Sequence, residues 1–167
     1  MVAGMSEDGK RLLIAWHSRT GASRAMANAA AEGAGEAAWL LRAGDVSPDD
    51  ILAASAYLFV CPENLASMSG EMKEMFDRCY YPVLGRIEGR AYATLIAAGS
   101  DGEGAQRQID RIATGWRLRR VADPVIFCFD AQTPETIMAE KTVSAERLSQ
   151  CRDLGAALAQ GLDLGMF

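Results

Sequence analysis

Hydroxyl-bearing residues and a glycine follow the first apolar run of the chain, in a pattern that suits a phosphate group. Ser18, Thr20 and Ser23 surround Gly21, whose missing side chain allows the backbone to turn tightly. A helix that begins directly after them would add unpaired backbone N–H groups and the positive end of its dipole, which together can hold an anion. The same residue types also occur in an ordinary capped turn between a strand and a helix, and their spacing alone leaves both interpretations open.

Two further segments place polar and small residues directly after apolar runs. Residues 62–70 carry amide and hydroxyl groups, and they form a connection longer than the ~2–6 residues usual between a strand and a helix. Residues 99–104 contain three glycines, which permit close approach of the backbone to a ligand. Each segment alone also fits a surface loop or a glycine-rich turn, so the prediction of a binding site depends on their meeting in space.

Strand-like runs and helix-like segments alternate five times along the chain and determine where those segments lie. The predicted strands cover residues 12–16, 37–42, 56–61, 91–98 and 124–129, and the predicted helices cover residues 22–34, a short stretch after residue 47, then 70–81, a segment around 109–116, and 144–162. Such alternation implies parallel strands joined by right-handed crossovers, hence an α/β three-layer sandwich. A five-stranded parallel sheet of order 2-1-3-4-5 would bring the three segments to one edge, where ligands bind in open sheets.

Composition narrows the classes of function. A chain of 167 residues with 50% hydrophobic and 23% charged residues fits a single globular domain, predicted over residues 11–167 after a flexible tail of residues 1–10. The apolar runs are far shorter than a membrane span, and a net charge of −5 without a basic block argues against nucleic-acid binding. Four cysteines without a Cys-x-x-Cys pair predict neither a metal centre nor disulfides, and they favour a reducing, cytoplasmic location.

Individual polar residues near the three segments admit structural as well as chemical interpretations. His17 is the only histidine, and a packing or loop contact is preferred to a catalytic role. Arg19 would offset phosphate charge or lie solvated at the surface, while Glu63 would accept a bond from a ligand N–H or face water. The amide of Asn64 can both donate to and accept from the edge of a polar ring. Cys61, at the end of the third strand, is expected to be a buried and inert thiol.

These segments resemble the cofactor loops of flavin-binding proteins. Residues 18–23 resemble the phosphate loop of flavodoxins, Ser/Thr-x-Thr-Gly-x-Ser/Thr. Residues 62–77 resemble the second flavin loop and following helix of NAD(P)H-dependent FMN reductases, and of quinone oxidoreductases of the tryptophan-repressor-binding-protein type. The matching features are Pro62, the Ser67-x-x-Gly70 helix entry, Lys73 and Asp77. Residues 97–104 match the third flavin loop more loosely, and the whole resemblance covers about residues 11–130 and the final helix.

The resemblance implies a flavodoxin-like fold that binds FMN. The first segment would hold the phosphate, the second would border the isoalloxazine ring, and the third would close its other side. The residues carried over are Ser18, Arg19, Thr20, Gly21, Ala22 and Ser23, then Pro62, Glu63, Asn64, Leu65, Ala66, Ser67 and Met68, and finally Ser100, Asp101 and Gly102. Neither a metal ligand nor a dedicated catalytic residue is implied, because FMN itself carries the redox chemistry.

The function implied by the resemblance is that of an FMN-dependent oxidoreductase. Electrons would pass from NAD(P)H through FMN to a small acceptor such as a quinone, and a homodimer is the expected assembly. Electron-carrier flavodoxins usually enclose the flavin ring between aromatic side chains of the second and third loops, whereas neither loop carries one here. An open ring face would suit a nicotinamide that must stack there. A flavodoxin-type electron carrier and a flavin-free binding module on the same fold are the alternatives.

Overall fold

The computed structural model of the protein describes residues 9–167 and alternates strands and helices along the chain. Within that range the strands are β1 Leu12–Trp16, β2 Ala38–Arg42, β3 Ala56–Asn64, β4 Ser67–Met68, β5 Ala91–Ala98, β6 Arg119–Arg120 and β7 Val125–Cys128. The α-helices of the same range are α1 Ala22–Ala34, α2 Pro48–Ala53, α3 Gly70–Val83, α4 Glu103–Gly115, α5 Pro134–Met138 and α6 Ala145–Asp163. The flexible tail predicted for residues 1–10 falls mainly on residues 1–8, which lie outside the described residues.

Helix starts follow local sequence signals. Ser47 caps α2, since its side chain accepts from the Asp50 N–H at 3.2 Å while the Asp50 carboxylate accepts from the Ser47 N–H at 2.8 Å. Pro48 is the first residue of α2, a position at which the missing proline N–H breaks no helical bond. The short helix predicted after Ser47 is thereby confirmed.

The sheet runs in the order β2-β1-β3-β5, and β6 and β7 follow each other along the outer edge of β5. Neighbouring strands in this series are parallel. In the predicted numbering β5 is the fourth strand, and β6 and β7 together take the place of the fifth. The predicted order 2-1-3-4-5 is therefore confirmed. The prediction of five strands is incomplete in two places. β4 pairs antiparallel with the end of β3, and the stretch between β6 and β7 includes Pro124, which has no N–H to give to a ladder.

Helices cover both faces of the sheet and give the protein its three layers. α1 and α6 pack on one face, over Leu12 and Leu58. α2, α3 and α4 pack on the other face, over Leu13 and Phe59. Neighbouring residues of a strand point to opposite faces of the sheet. β1 and β3 therefore contribute side chains to both cores, and they are apolar throughout their buried length. Among residues 9–167, none of the helices is long and apolar enough to cross a membrane.

Glycines let α1 and α6 approach each other through their backbones. A Cβ atom on Gly33 would overlap the carbonyl oxygen of Arg152, and a Cβ atom on Gly155 would overlap that of Ala30. Each helix therefore contributes one glycine to a crossing at which the two backbones touch. The crossing holds α1 against α6, and α1 begins at the carboxyl edge of the sheet.

Candidate functional site

A cavity of about 280 Å³ lies at the carboxyl edge of the sheet, where the three sequence segments converge. Of the residues predicted to bind a cofactor, those that line this cavity are Ser18, Arg19, Thr20, Ala22, Ser23, Pro62, Glu63, Asn64, Leu65, Ala66 and Ser100. The remaining predicted residues lie next to the wall but not in it, and they are Gly21, Ser67, Met68, Asp101 and Gly102. The structure thus brings the three segments together, as the binding hypothesis requires.

The first segment forms a tight turn from β1 into α1. Gly21 caps α1 with φ 97°, a left-handed conformation that favours glycine. Its N–H donates to the Ser18 hydroxyl at 3.1 Å, which closes the turn from within. The Lys141 N–H donates to the Thr20 carbonyl at 2.8 Å, which fixes the turn from outside. Two hydrogen bonds within the protein therefore define the shape of this turn.

Ser23 carries a buried hydroxyl without a hydrogen-bond partner. It lies in the first turn of α1, is 1% exposed and lines the cavity, and its Oγ finds no partner among the described residues. Leaving such a group unpaired costs about 1–3 kcal/mol. The first N–H groups of an α-helix also lack partners within the helix and carry its positive dipole end. The residues present at this helix start therefore fit a phosphate group, whose oxygens would accept from both kinds of donor.

The second segment is a β-hairpin rather than an open loop. β3 pairs with β4 through Glu63 opposite Met68 and Asn64 opposite Ser67, which leaves a turn of two residues. These two, Leu65 and Ala66, have φ angles of 52° and 61°. Hairpin turns of this kind usually take Asn and Gly, and left-handed backbone at other residues costs on the order of 1–3 kcal/mol. The Leu65 side chain is fully exposed at the rim of the cavity.

Bonds to α4 hold this strained hairpin in place. The Glu63 carboxylate accepts from the Gly102 N–H at 2.8 Å and from the Ala105 N–H at 3.1 Å. Glu63 therefore caps α4 from a neighbouring strand. It does not simply face water, which was one of the two interpretations of its sequence position. The Gln108 side chain accepts from the Met68 N–H at 2.9 Å and from the Ser67 hydroxyl at 3.0 Å. The hairpin and the start of α4 thus form one wall of the cavity.

Two glycines of the third segment, Gly102 and Gly104, allow close packing against neighbouring elements. Gly102 caps α4 with φ 88°, and a Cβ atom there would overlap the Ile126 side chain. A Cβ atom on Gly104 would overlap the carbonyl oxygen of Ala66 and lie 2.9 Å from the carbonyl carbon. Gly102 thus gives β7 room to pack against the start of α4, and its contact with a ligand stays a prediction.

His17 joins the end of β1 to the start of α3 and lies outside the cavity wall. Its Nδ1 is 2.9 Å from the Ser69 hydroxyl, and its Nε2 is 3.0 Å from the Glu71 carboxylate. Burial lowers the pKa of His17 below its ordinary value, with Arg42 and Arg19 adding to the effect and Glu71 opposing it. The preferred interpretation of His17 as a loop contact agrees with this placement.

Sequence reasoning missed a fourth wall, formed by the segment after β7. Phe129, Ala131, Ile137 and Lys141 line the cavity, and Ile137 belongs to α5. The signal was available, since Thr133 caps α5 and a proline opens it, as at the start of α2. Phe129 also supplies an aromatic side chain to the cavity. It directly follows β7 and does not belong to the second or third segment.

Two further features bear on chemistry. Burial raises the pKa of the Cys61 thiol to about 12, and the side chain has no exposed surface, which makes it inert as expected. Within residues 9–167, no group of three or more His, Cys, Asp or Glu side chains is placed to hold a metal ion.

The central part of the chain matches a known enzyme family. Residues 47–129 match the model of the family "NADPH-dependent FMN reductase". This stretch contains the second and third segments of the cavity wall but not the first. A flavodoxin of Aquifex aeolicus (strain VF5) is similar over more of the chain, with 28% identity in an alignment that covers 90% of this chain and 85% of the relative.

Solved structures with the same fold extend the likeness to nearly the whole chain. A flavodoxin from the domain Archaea aligns with a TM-score of 0.74 and 17% identity, and covers 92% of this chain and 99% of that one. A flavodoxin, WrbA-like protein from Agrobacterium tumefaciens aligns with a TM-score of 0.65 and 18% identity, and covers 91% of this chain and 96% of that one. At these identities the likeness establishes the flavodoxin-like fold.

Proposed function

We propose that this chain, which has the flavodoxin-like fold, binds FMN in the cavity and passes electrons from NAD(P)H to a small acceptor such as a quinone. The family match over residues 47–129 supports the enzyme part of this proposal. A cytoplasmic homodimer is the proposed form of the protein.

The unpartnered hydroxyl of Ser23 is the observation that carries FMN binding. It lies buried in the first turn of α1, beside the turn that Ser18 and Gly21 close. A phosphate monoester placed there would accept from the hydroxyl and from the N–H groups of the helix start. Riboflavin would offer a neutral hydroxyl in place of the phosphate, and a charged acceptor forms stronger hydrogen bonds, so the proposal favours a phosphorylated flavin over riboflavin.

FMN would supply the electron-transfer chemistry, and the chain would supply binding and orientation. Residues 18–23 would hold the phosphate, and the hairpin with Asn64 would border the ring. The bonds of Glu63 and Gln108 join the hairpin to α4 and hold this wall of the cavity together. Leu65 at the rim presents an apolar surface to whatever approaches the ring. No proton-transfer residue is proposed for the chain.

A flavodoxin-type electron carrier is the second candidate function. The relative from Aquifex aeolicus, which carries the name flavodoxin and aligns with 90% of this chain, favours it. The two candidates share the cofactor and differ in whether NAD(P)H reduces it. Reduction by the nucleotide is therefore the property that separates them.

The binding part is tested with Ser23→Ala, using FMN and riboflavin as ligands in fluorescence titrations. FMN affinity should fall by roughly 10- to 150-fold, because a hydrogen bond to a charged group contributes about 1.5–3 kcal/mol. Riboflavin affinity should hardly change, and the melting temperature of the free protein should not fall, because the wild-type hydroxyl has no partner to lose.

Ser47→Ala is the matched control, because Ser47 caps α2, whose residues do not line the cavity, by accepting from the Asp50 N–H at 3.2 Å. It should lower stability by about 1 kcal/mol and leave FMN affinity unchanged. Equal FMN affinity in the wild type and in Ser23→Ala would refute the phosphate site.

The enzyme part is tested by adding NADPH, then NADH, to the FMN-loaded protein without oxygen, followed by a quinone. Loss of the flavin absorbance band with the nucleotide and its return with the quinone are the expected results. If neither nucleotide reduces the bound FMN, the enzyme function is refuted and the electron carrier is favoured. A chain that takes up no FMN would refute both candidates.

A further inference from the structure

The fourth wall of the cavity is a strap that crosses from the third segment to the first. We define the strap as residues 131–143, which include α5. At one end the Ala131 N–H donates to the Gly99 carbonyl at 3.1 Å, and near the other the Lys141 N–H donates to the Thr20 carbonyl at 2.8 Å. Residues 132–140 between these bonds are exposed. The strap is therefore attached at its ends, and its second attachment is to the turn that precedes α1.

Lys141 organises the strap with its ammonium group. Nζ donates to the carbonyl oxygens of Thr136 at 2.7 Å, Ile137 at 3.1 Å and Ala139 at 2.6 Å. These carbonyls belong to the end of α5 and the residue after it, where backbone oxygens lack helical partners and carry partial negative charge. Lys141 thus covers the electronegative end of α5 with a full positive charge.

The location of this charge matters because Lys141 also lines the cavity. Its backbone touches Thr20, so the end of α5 lies beside the proposed phosphate site. Uncovered carbonyl oxygens there would repel a phosphate, and so would Glu140, whose Cγ lies 4.0 Å from the position of a Cβ on Gly21. Arg19 is the other basic residue in the wall, and the Glu63 carboxylate is already bonded to the start of α4.

We propose that Lys141 makes the cavity selective for a phosphorylated flavin over its unphosphorylated counterpart, by covering the carbonyl end of α5 and placing a positive charge beside the first segment. This inference rests on the proposed function, because it takes FMN as the ligand. It adds a specificity-determining residue from a part of the chain that lies beyond the family match at residues 47–129. Lys141 acts on the phosphate through its electrostatic field and not through a direct hydrogen bond, because its three N–H donors are used within the strap.

A purely structural role for Lys141 makes a different prediction. If the lysine only kept α5 folded, its loss would loosen one wall of the cavity and weaken FMN and riboflavin alike. If it sets the charge beside the phosphate, its loss weakens FMN and leaves riboflavin nearly unchanged. The ratio of the two affinities therefore separates the roles.

The experiment measures dissociation constants for FMN and riboflavin by fluorescence quenching, in the wild type, Lys141→Met and Lys141→Arg. Lys141→Met should weaken FMN binding by about 3- to 20-fold, the effect of one charge near a helix end, and riboflavin binding by less than about 2-fold. Lys141→Arg keeps the charge and should stay within about 3-fold of the wild type for FMN. At about 0.5 M salt the FMN difference should shrink, because charges are then screened within a few Å.

Lys10→Met is the matched control. Lys10 also donates to a carbonyl near a helix end, that of Leu162 at 2.9 Å, but it precedes β1 at the opposite edge of the sheet. Its loss should leave both affinities unchanged. An unaltered ratio of FMN to riboflavin affinity in Lys141→Met overturns the inference alone. A wild-type chain that binds neither flavin overturns the proposed function, and the inference with it.

Discussion

Replacing Gly104 with alanine tests the close approach of the hairpin to α4. An alanine in a helix is usually favoured over glycine by about 0.5–1 kcal/mol, because glycine loses more backbone freedom on folding. Here the new Cβ would overlap the Ala66 carbonyl oxygen and lie 2.9 Å from its carbon, whereas carbon atoms pack best at about 3.5–4.0 Å. Both neighbours are backbone atoms of a turn held by Glu63 and Gln108, so they cannot rotate away.

We expect the clash to outweigh the helical gain. Overpacking costs about 1–3 kcal/mol, and the upper part of that range, about 2–3 kcal/mol, applies to a clash with backbone atoms that cannot move aside. After subtraction of the helical gain of about 0.5–1 kcal/mol, the free energy of unfolding should fall by about 1–2.5 kcal/mol. For a chain of this size that corresponds to a melting temperature lower by roughly 2–10 °C in thermal denaturation. FMN affinity should fall as well, because the hairpin must move.

Gly70→Ala is the control for this prediction. Gly70 also lies in the first turn of a helix, α3, and a Cβ atom there would have no neighbour within 4 Å. That variant should melt at the wild-type temperature or slightly above it. If Gly104→Ala also melts at or above the wild-type temperature, the hairpin does not pack against α4 as described.

Further predictions concern the groups around the site and in the core. The pKa of His17 is lowered below 6.5 mainly by burial, so the unfolded chain binds that proton more tightly. The free energy of unfolding in urea should therefore fall as the pH drops from about 7.5 to about 5.5, and His17→Asn should flatten that slope; an unchanged slope would contradict it. Arg90→Met should cost about 1–3 kcal/mol in thermal unfolding, because Arg90 donates to carbonyls and to a tyrosine hydroxyl around the end of α2. Arg86 is exposed, and Arg86→Met should change the free energy of unfolding by less than about 0.5 kcal/mol. Equal losses in Arg86→Met and Arg90→Met would refute the stabilising role of Arg90. Iodoacetamide should label the partly exposed Cys128 of the native protein and spare buried Cys61, and mass spectrometry that finds Cys61 labelled before unfolding would contradict its burial.

The sheet order and the convergence of three segments followed from the sequence because both depend on local patterns. Apolar runs of strand length and amphipathic stretches alternate, and parallel strands direct their ends to one edge. The turn at Gly21 was recognisable because a left-handed residue before a helix favours glycine. These features need no knowledge of distant contacts.

The hairpin and the strap could not be predicted in the same way. Leu65 and Ala66 are unusual residues for a two-residue turn, and they hold their left-handed conformation because Glu63 and Gln108 bond the hairpin to α4. That restraint joins residues about forty positions apart, so no local pattern reveals it. The strap was missed although Thr133 and a following proline signal a helix start, because α5 has five residues and no buried face.

The crossing of Gly33 and Gly155 ties the formation of the site to the order of synthesis. α1 is complete at residue 34, whereas its partner α6 begins at residue 145. At about 5–20 residues per second, the ribosome needs on the order of ten seconds to make the chain between them. During that time the alanine-rich face of α1 has no helix to cover it, and the turn at its start lacks the bond from the Lys141 N–H. The nascent chain is therefore expected to acquire its phosphate-binding geometry only after α6 has emerged, late in translation.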